Sequence, residues 1–375
     1  MISKGLLSFI IVFIFLAESS YAQKDSYTTT VKYHSGIVLP HHQSITYLRK
    51  SGIEAMEINF GFIPSRERKW AALYNQPEIG LGLYHGNLGN DKVWGNVTSV
   101  FPYINFHLYK KAWFHLTNQL GLGVAYNSKI FDATKNYKNT LISSRINAFF
   151  SYSLNAECSI SSQWQLIAGF GVKHISNGAS KKPNSGINLL TSHFGIKYAL
   201  NKRPEIAYSK LKNHTKLENE YSITWNHGET QAKENDLHRY YISNLSANYA
   251  IGINAKQRLG FGLDLFYNEA TNRGDWNLEP KTEFEDRISQ GIHISHDLII
   301  SDFTLMIQLG FYTLYKTEPE AAIYSRIGLR YNIGQHFFTN FNLKAHGGKA
   351  QNLEWGIGYR FKKKKNKHIP SIKTK

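Results

Sequence analysis

His174 and Ser176 stand two residues apart at the end of an apolar stretch, and Asn188 follows after the run Asn177-Gly178-Ala179-Ser180-Lys181-Lys182-Pro183-Asn184-Ser185-Gly186-Ile187. A serine hydroxyl becomes a nucleophile when a base beside it takes its proton, and that base needs a third group to hold its ring and tautomer. Histidine, serine and asparagine supply those three parts. The chemistry they suit is ester hydrolysis through an acyl-enzyme, in which His174 removes the Ser176 proton and water later releases the acid. In the intervening run, Asn177 and Asn184 offer amide donors to a tetrahedral oxyanion, and Lys181 and Lys182 offer charge to a phosphate group. The same residue types are also ordinary turn formers and solvated lysines. This scheme calls for no cofactor and no metal. The chain contains no Gly-x-Ser-x-Gly elbow, phosphate-binding glycine loop or metal-binding cysteine pair. His41-His42 and His85 sit at expected strand ends and take no role.

The elements that must position these residues are strands. Trp164, Leu166, Ala168, Phe170 and Val172 share a parity that continues to His174 and Ser176. Side chains two apart on a strand project to the same side. On the returning stretch Leu190, Phe194, Ile196, Tyr198 and Leu200 share a parity with Asn188. If the two strands pair, all three polar residues meet at one rim of the sheet, on its apolar face.

The same alternation recurs along the chain, as in Met56 to Phe62, Leu116 to Tyr126, Leu259 to Tyr267, Phe303 to Phe311 and Leu353 to Phe361. A soluble β-sandwich also alternates. Here the apolar positions are almost uniformly large, the aromatic content is 14%, and the last strand ends on Phe361. These features favour an all-β, transmembrane antiparallel barrel of the outer-membrane type. About sixteen candidate strands lie between Thr28 and Phe361, eight on each side of a polar stretch. One barrel of about 12 to 16 strands is the simpler expectation, and two eight-stranded barrels in tandem are the alternative.

The expected organisation is a signal peptide over 1–22, a barrel half carrying the site over 23–200, a polar connection over 201–217, further strands over 218–361 and a basic tail over 362–375. Lys4, the apolar run Leu6 to Ala17 and the small residues around Tyr21 have the pattern of a secretory signal cleaved after Ala22. The apolar run is too short to anchor a membrane. The net charge of +17 is concentrated at the end, where seven lysines occupy the last fourteen residues. A solvated tail is the expectation there. An exported chain with no nucleic-acid-binding module is not expected to bind nucleic acid. The lone cysteine, Cys158, cannot form an internal disulfide.

The motif His174-Ile175-Ser176-Asn177, followed by Pro183-Asn184-Ser185-Gly186-Ile187-Asn188, resembles the lipid A 3-O-deacylase family, also called acyloxyacyl hydrolases. The likeness covers about residues 30 to 200. It implies an outer-membrane barrel that removes an ester-linked acyl chain from the lipid A of lipopolysaccharide. It also implies His174 as base, Ser176 as nucleophile and Asn177 and Asn184 as oxyanion contributors. The family usually has glutamate as third member where this chain has Asn188. The Ser-His-Asn set also resembles outer-membrane phospholipase A, which uses calcium. A third reading is a porin-like barrel without catalysis. The expected partner is lipid A in the outer leaflet, and the oligomeric state is left open.

Overall fold

A computed structural model describes residues 25–361 apart from 41–42, 66–67, 202–215, 235, 237, 272–282, 318 and 320. The expected signal peptide and basic tail lie outside the described residues, as does most of the polar connection. The chain divides into two units, residues 1–212 and 213–375.

In the first unit β1 (Ser26–Leu39), β2 (Ile53–Ile63), β3 (Glu78–Asn87), β4 (Asn96–Lys110), β5 (Phe114–Asn127), β6 (Ile146–Ser159), β7 (Trp164–Ser176) and β8 (Ile187–Ala199) pair in sequence order. The sheet then closes on itself, because β8 pairs antiparallel with β1 from Thr28 opposite Ala199 to Leu39 opposite Asn188. In the second unit β9 (Glu220–Thr230), β10 (Tyr240–Gly252), β11 (Gln257–Asn268), β12 (Ile288–Ile300), β13 (Phe303–Tyr315), β14 (Ile323–Ile333), β15 (Phe337–His346) and β16 (Lys349–Phe361) do the same. There β16 closes on β9. The sixteen strands expected from alternation are present, but a single large barrel is not. The arrangement is the tandem alternative. Pairing of β1 with β8 uses up the edge hydrogen bonds that a larger barrel would have needed for joining β8 to β9.

Alternation explains both faces of each wall. Leu166, Phe170 and Phe194 point outward and are 52%, 58% and 65% exposed, a burial state that large apolar side chains adopt when the surrounding medium is lipid. Their inward neighbours are buried and polar. In the first barrel Lys32 Nζ lies 2.9 Å from Glu57 Oε1, and Lys173 Nζ lies 3.4 Å from Glu57 Oε2. Lys197 Nζ lies 2.8 Å from Glu78 and 3.0 Å from Glu157. In the second barrel Asp264 is held by His293 Nδ1 at 2.6 Å and Arg326 Nη1 at 3.4 Å, and Glu220 by Arg330 at 2.7 Å. An eight-stranded barrel is only wide enough for side chains to fill its interior. The paired charges occupy the space a porin would leave for water, so the porin-like expectation lacks its channel. No helix among the described residues is long and apolar enough to cross a membrane.

The connections of the first barrel are unequal. Those over 40–52, 88–95, 128–145 and 177–186 share one end, with a short helix, α1 (Gln43–Thr46), in the first of them. At the other end lie 64–77, which holds α2 (Lys69–Leu73), and the short turns 111–113 and 160–163. Beneath the long loops is a small apolar core in which Ile45, Leu48, Trp94, Leu141 and Ile142 pack with the inward residues Ile175, Ile187 and Leu189. Fully burying an Ile or Leu contributes roughly 1.5–3 kcal/mol. The loops are therefore anchored from inside the barrel mouth, next to the ends of β7 and β8.

Candidate active site

Strand β7 carries charge inward and chemistry outward at adjacent positions. Lys173 faces the interior, where Glu57 and the Tyr84 ring, 4.9 Å from its Nζ, hold it. His174, one residue on, faces the outer wall and is half-buried. Its register partner across the β7–β8 ladder is Asn188, and the side chains meet: His174 Nδ1 lies 2.5 Å from Asn188 Oδ1. An amide oxygen has no proton to give, so Nδ1 donates and the lone pair is left on Nε2, the nitrogen able to act as a base. Ser176 ends the strand on the same face and is buried. On the other side β6 presents Phe150 opposite His174 and Ala148 opposite Ser176. The apolar stripe below, through Val172 and Phe170, faces lipid.

Two donors converge on Ser176 Oγ. They are the Gly178 backbone N–H at 3.0 Å and Asn184 Nδ2 at 3.1 Å. Asn184 is thus brought to Ser176, and the side chain of Asn177 is not. Its Nδ2 donates to Ser144 Oγ at 2.9 Å, Lys181 O at 2.9 Å and Ser143 Oγ at 3.2 Å. Its amide protons are occupied in holding the loop together, and its backbone N–H donates to Asn184 Oδ1 at 3.3 Å. Asn177 therefore orients Asn184, which in turn faces the serine. The Lys181 side chain is exposed and Lys182 is half-buried, while the Lys181 carbonyl accepts from Ser143 Oγ at 2.7 Å.

Sequence reasoning missed the support for this loop. The 128–145 loop grips the 177–186 loop through Ser143 and Ser144, and Gly186 N–H donates to Leu141 O at 3.0 Å. Gly186 has φ +78°, a left-handed conformation that favours glycine, and a Cβ placed there would lie 2.8 Å from His174 Cε1. The main chain at Gly186 is thus packed against the imidazole ring. Gly178 N–H also escaped notice, because a backbone donor has no side-chain signature. Among the described residues no cluster of His, Cys, Asp or Glu is arranged to hold a metal ion.

Among its described residues the second barrel has no copy of the site. Its β15–β16 hairpin, which occupies the place in the strand order that β7–β8 occupies in the first, closes through Gly347-Gly348 with His346 opposite Lys349. His346 is buried and meets Tyr312 OH at 3.0 Å.

The arrangement can activate a serine against an acyl group that arrives along a lipid-facing wall. A family model described as Lipid A 3-O-deacylase (PagL) matches residues 56–197, and one described as Acyloxyacyl hydrolase, C-terminal domain, matches residues 219–363. Between them they cover most of both barrels. No curated protein matches the chain. Among solved structures, Neisserial surface protein A is 9% identical, with a TM-score of 0.31, over 46% of this chain and 96% of that one. The outer membrane protein Omp33 of Acinetobacter baumannii is 7% identical, with a TM-score of 0.17, over 90% of this chain and 99% of that one.

Proposed function

We propose, from the premise that the chain belongs to the lipid A 3-O-deacylase family of outer-membrane ester hydrolases, that its first barrel removes an acyl chain from lipid A by serine catalysis. His174 is the base, Ser176 the nucleophile and Asn188 the residue that fixes the histidine's tautomer. His174 Nε2 takes the hydroxyl proton as Ser176 Oγ attacks the ester carbonyl. The carbonyl oxygen becomes an oxyanion, stabilised by Gly178 N–H and Asn184 Nδ2. His174 then returns the proton to the departing sugar oxygen, and water repeats the sequence to release the fatty acid. Preorganised donors of this kind contribute roughly a hundredfold to a thousandfold each in rate.

The observation that carries this reading is the His174–Asn188 contact at 2.5 Å, with two donors aimed at a serine on the same outward face. Asn188 orients the imidazole as a carboxylate does but leaves the imidazolium of the transition state without a counter-charge. Removal of the signal peptide after Ala22 and export to the outer membrane complete the reading. The long-loop end then lies outside the cell and the site sits at outer-leaflet depth. The test is mass spectrometry of lipid A from cells carrying the native chain or Ser176→Ala. Loss of one acyl chain with the native protein alone is expected, and equal acyl content in both defeats the proposal. Phospholipid offered with and without calcium serves as the competing substrate, and its preferential cleavage assigns the site to a phospholipase instead.

A further inference from the structure

The two loops that build the site carry six cations, Lys129, Lys135, Lys138, Arg145, Lys181 and Lys182, against one carboxylate, Asp132. That carboxylate faces its own loop: it accepts from Lys135 N at 2.8 Å, Thr134 Oγ at 2.9 Å and Thr134 N at 3.0 Å, which hold it below the usual carboxylate range. Among the described residues Lys129, Arg145 and Lys181 form no salt bridge. The second barrel, taken by itself, is different. Its loops over 231–239, 269–271 and 283–287 carry six acids, Glu234, Asp236, Glu269, Glu283, Glu285 and Asp286, against Lys233, Arg239 and Arg287. There Lys316 pairs with Glu285 at 3.4 Å and Arg239 with Glu229 at 3.4 Å. The two loops around the serine therefore carry six cations to one carboxylate, an excess that these loops of the second barrel do not share.

Arg145 is placed to use that charge. It is exposed and directly precedes β6, whose outward residue Ala148 is the register partner of Ser176. Three strand residues put it roughly 10 Å beyond the serine towards the rim. Its Nη1 donates to Ser128 O at 3.0 Å and Tyr126 OH at 3.3 Å, which fixes the guanidinium while Nε and Nη2 make no hydrogen bond among the described residues. Lys129 follows Ser128 in the chain. Lys181 is tied to the same loop through its carbonyl and Ser143. A planar guanidinium at the level where an apolar wall meets water, on a loop that also carries Lys129 and is bonded to the Lys181 backbone, matches a phosphomonoester carried by a lipid-anchored sugar.

We propose that Arg145, with Lys129 and Lys181, binds a phosphate group of the glycolipid headgroup and so sets the depth at which the acyl ester meets Ser176. This rests on the deacylase reading and goes beyond it by naming the headgroup contact. The full-length protein is assayed in mixed micelles at low ionic strength, with bisphosphorylated and with dephosphorylated lipid A. Arg145→Gln is expected to raise KM about tenfold on the phosphorylated lipid with kcat unchanged, and to match the native protein on the dephosphorylated one. Equal effects on both lipids, no effect on either, or a matching effect from Arg239→Gln on the second barrel overturns the proposal. Binding of both lipids by Ser176→Ala and by Ser176→Ala/Arg145→Gln, followed by tryptophan fluorescence, separates the two readings. Arg145-dependent binding of the phosphorylated lipid without any turnover by the native protein removes the deacylase and leaves the phosphate site standing. Inorganic phosphate is added as a competitor. Failure to displace the lipid at matched concentration supports a headgroup site, and full displacement assigns the cations to free phosphate instead.

Discussion

Substituting Gly186 by alanine tests whether the main chain at that position positions His174, the base of the proposed mechanism. Two penalties act together. The residue sits at φ +78°, and an alanine held in the left-handed region costs roughly 1–2 kcal/mol. The new methyl would also lie 2.8 Å from His174 Cε1, about 0.6 Å short of ordinary contact. The ring cannot retreat freely, because Asn188 holds its Nδ1 at 2.5 Å. A misplacement of about 1 Å in a catalytic group costs on the order of a hundredfold in rate, so a shift of this size should lower kcat by about 10-fold to 100-fold with KM little changed. The assay is release of fatty acid from lipid A in mixed micelles, with heat-dependent migration on gels as the check that the barrel is closed. Gly334 supplies the control: its φ is +63° and nothing lies within 4 Å of the position of its Cβ. Gly334→Ala carries the backbone strain without the ring contact and should leave kcat unchanged. If Gly186→Ala keeps activity to within about twofold while correctly folded, or if Gly334→Ala loses as much, the positioning argument is wrong.

Three further outcomes follow, two from the His174–Asn188 contact and one from the barrel interior. Asn188→Ala removes the acceptor for Nδ1–H and should lower kcat roughly 10-fold to 100-fold, the worth of a hydrogen bond to a charged group. Asn188→Asp keeps the acceptor, adds the missing counter-charge, and should retain or exceed native activity over the pH–rate profile; a loss equal to that of alanine would refute the orienting role. Inside the barrel, Lys197→Met leaves Glu78 and Glu157 without their shared cation. Breaking a buried ion pair costs about 3–5 kcal/mol. The urea midpoint for unfolding should therefore fall markedly while turnover per folded molecule is unchanged, and an unaltered midpoint would show the interior charges to be solvated.

The wall was legible in the sequence because a strand's two faces have a period of two residues and each residue reports its own side. The parities of β7 and β8 placed His174 and Asn188 on one face, and the register sets them directly opposite. Closure was not legible. Thr28 meets Ala199 across most of the first barrel's sequence, and nothing local in β8 says whether its free edge will find β1 or β9. The loop was legible in composition but not in direction. Asn177 and Asn184 look alike as turn residues, yet one faces Ser143 and Ser144 and the other faces Ser176, a difference set by packing of the 128–145 loop. Gly178 and Gly186 act through backbone atoms and positive φ, which a residue's identity only permits.

On the proposed mechanism, the outward placement of His174 and Ser176 has a kinetic consequence. An enzyme whose reactive groups open onto the side of a sealed cylinder does not meet its substrate by diffusion in three dimensions. Encounters take place in a plane, and the controlling variable is the mole fraction of substrate among its neighbouring lipids. Doubling the total lipid at constant composition should leave the rate per molecule unchanged, whereas diluting the substrate with an inert lipid should lower it in proportion until encounter ceases to limit. The released fatty acid enters that same plane, so early product inhibition should track its surface density and not its concentration in the surrounding water.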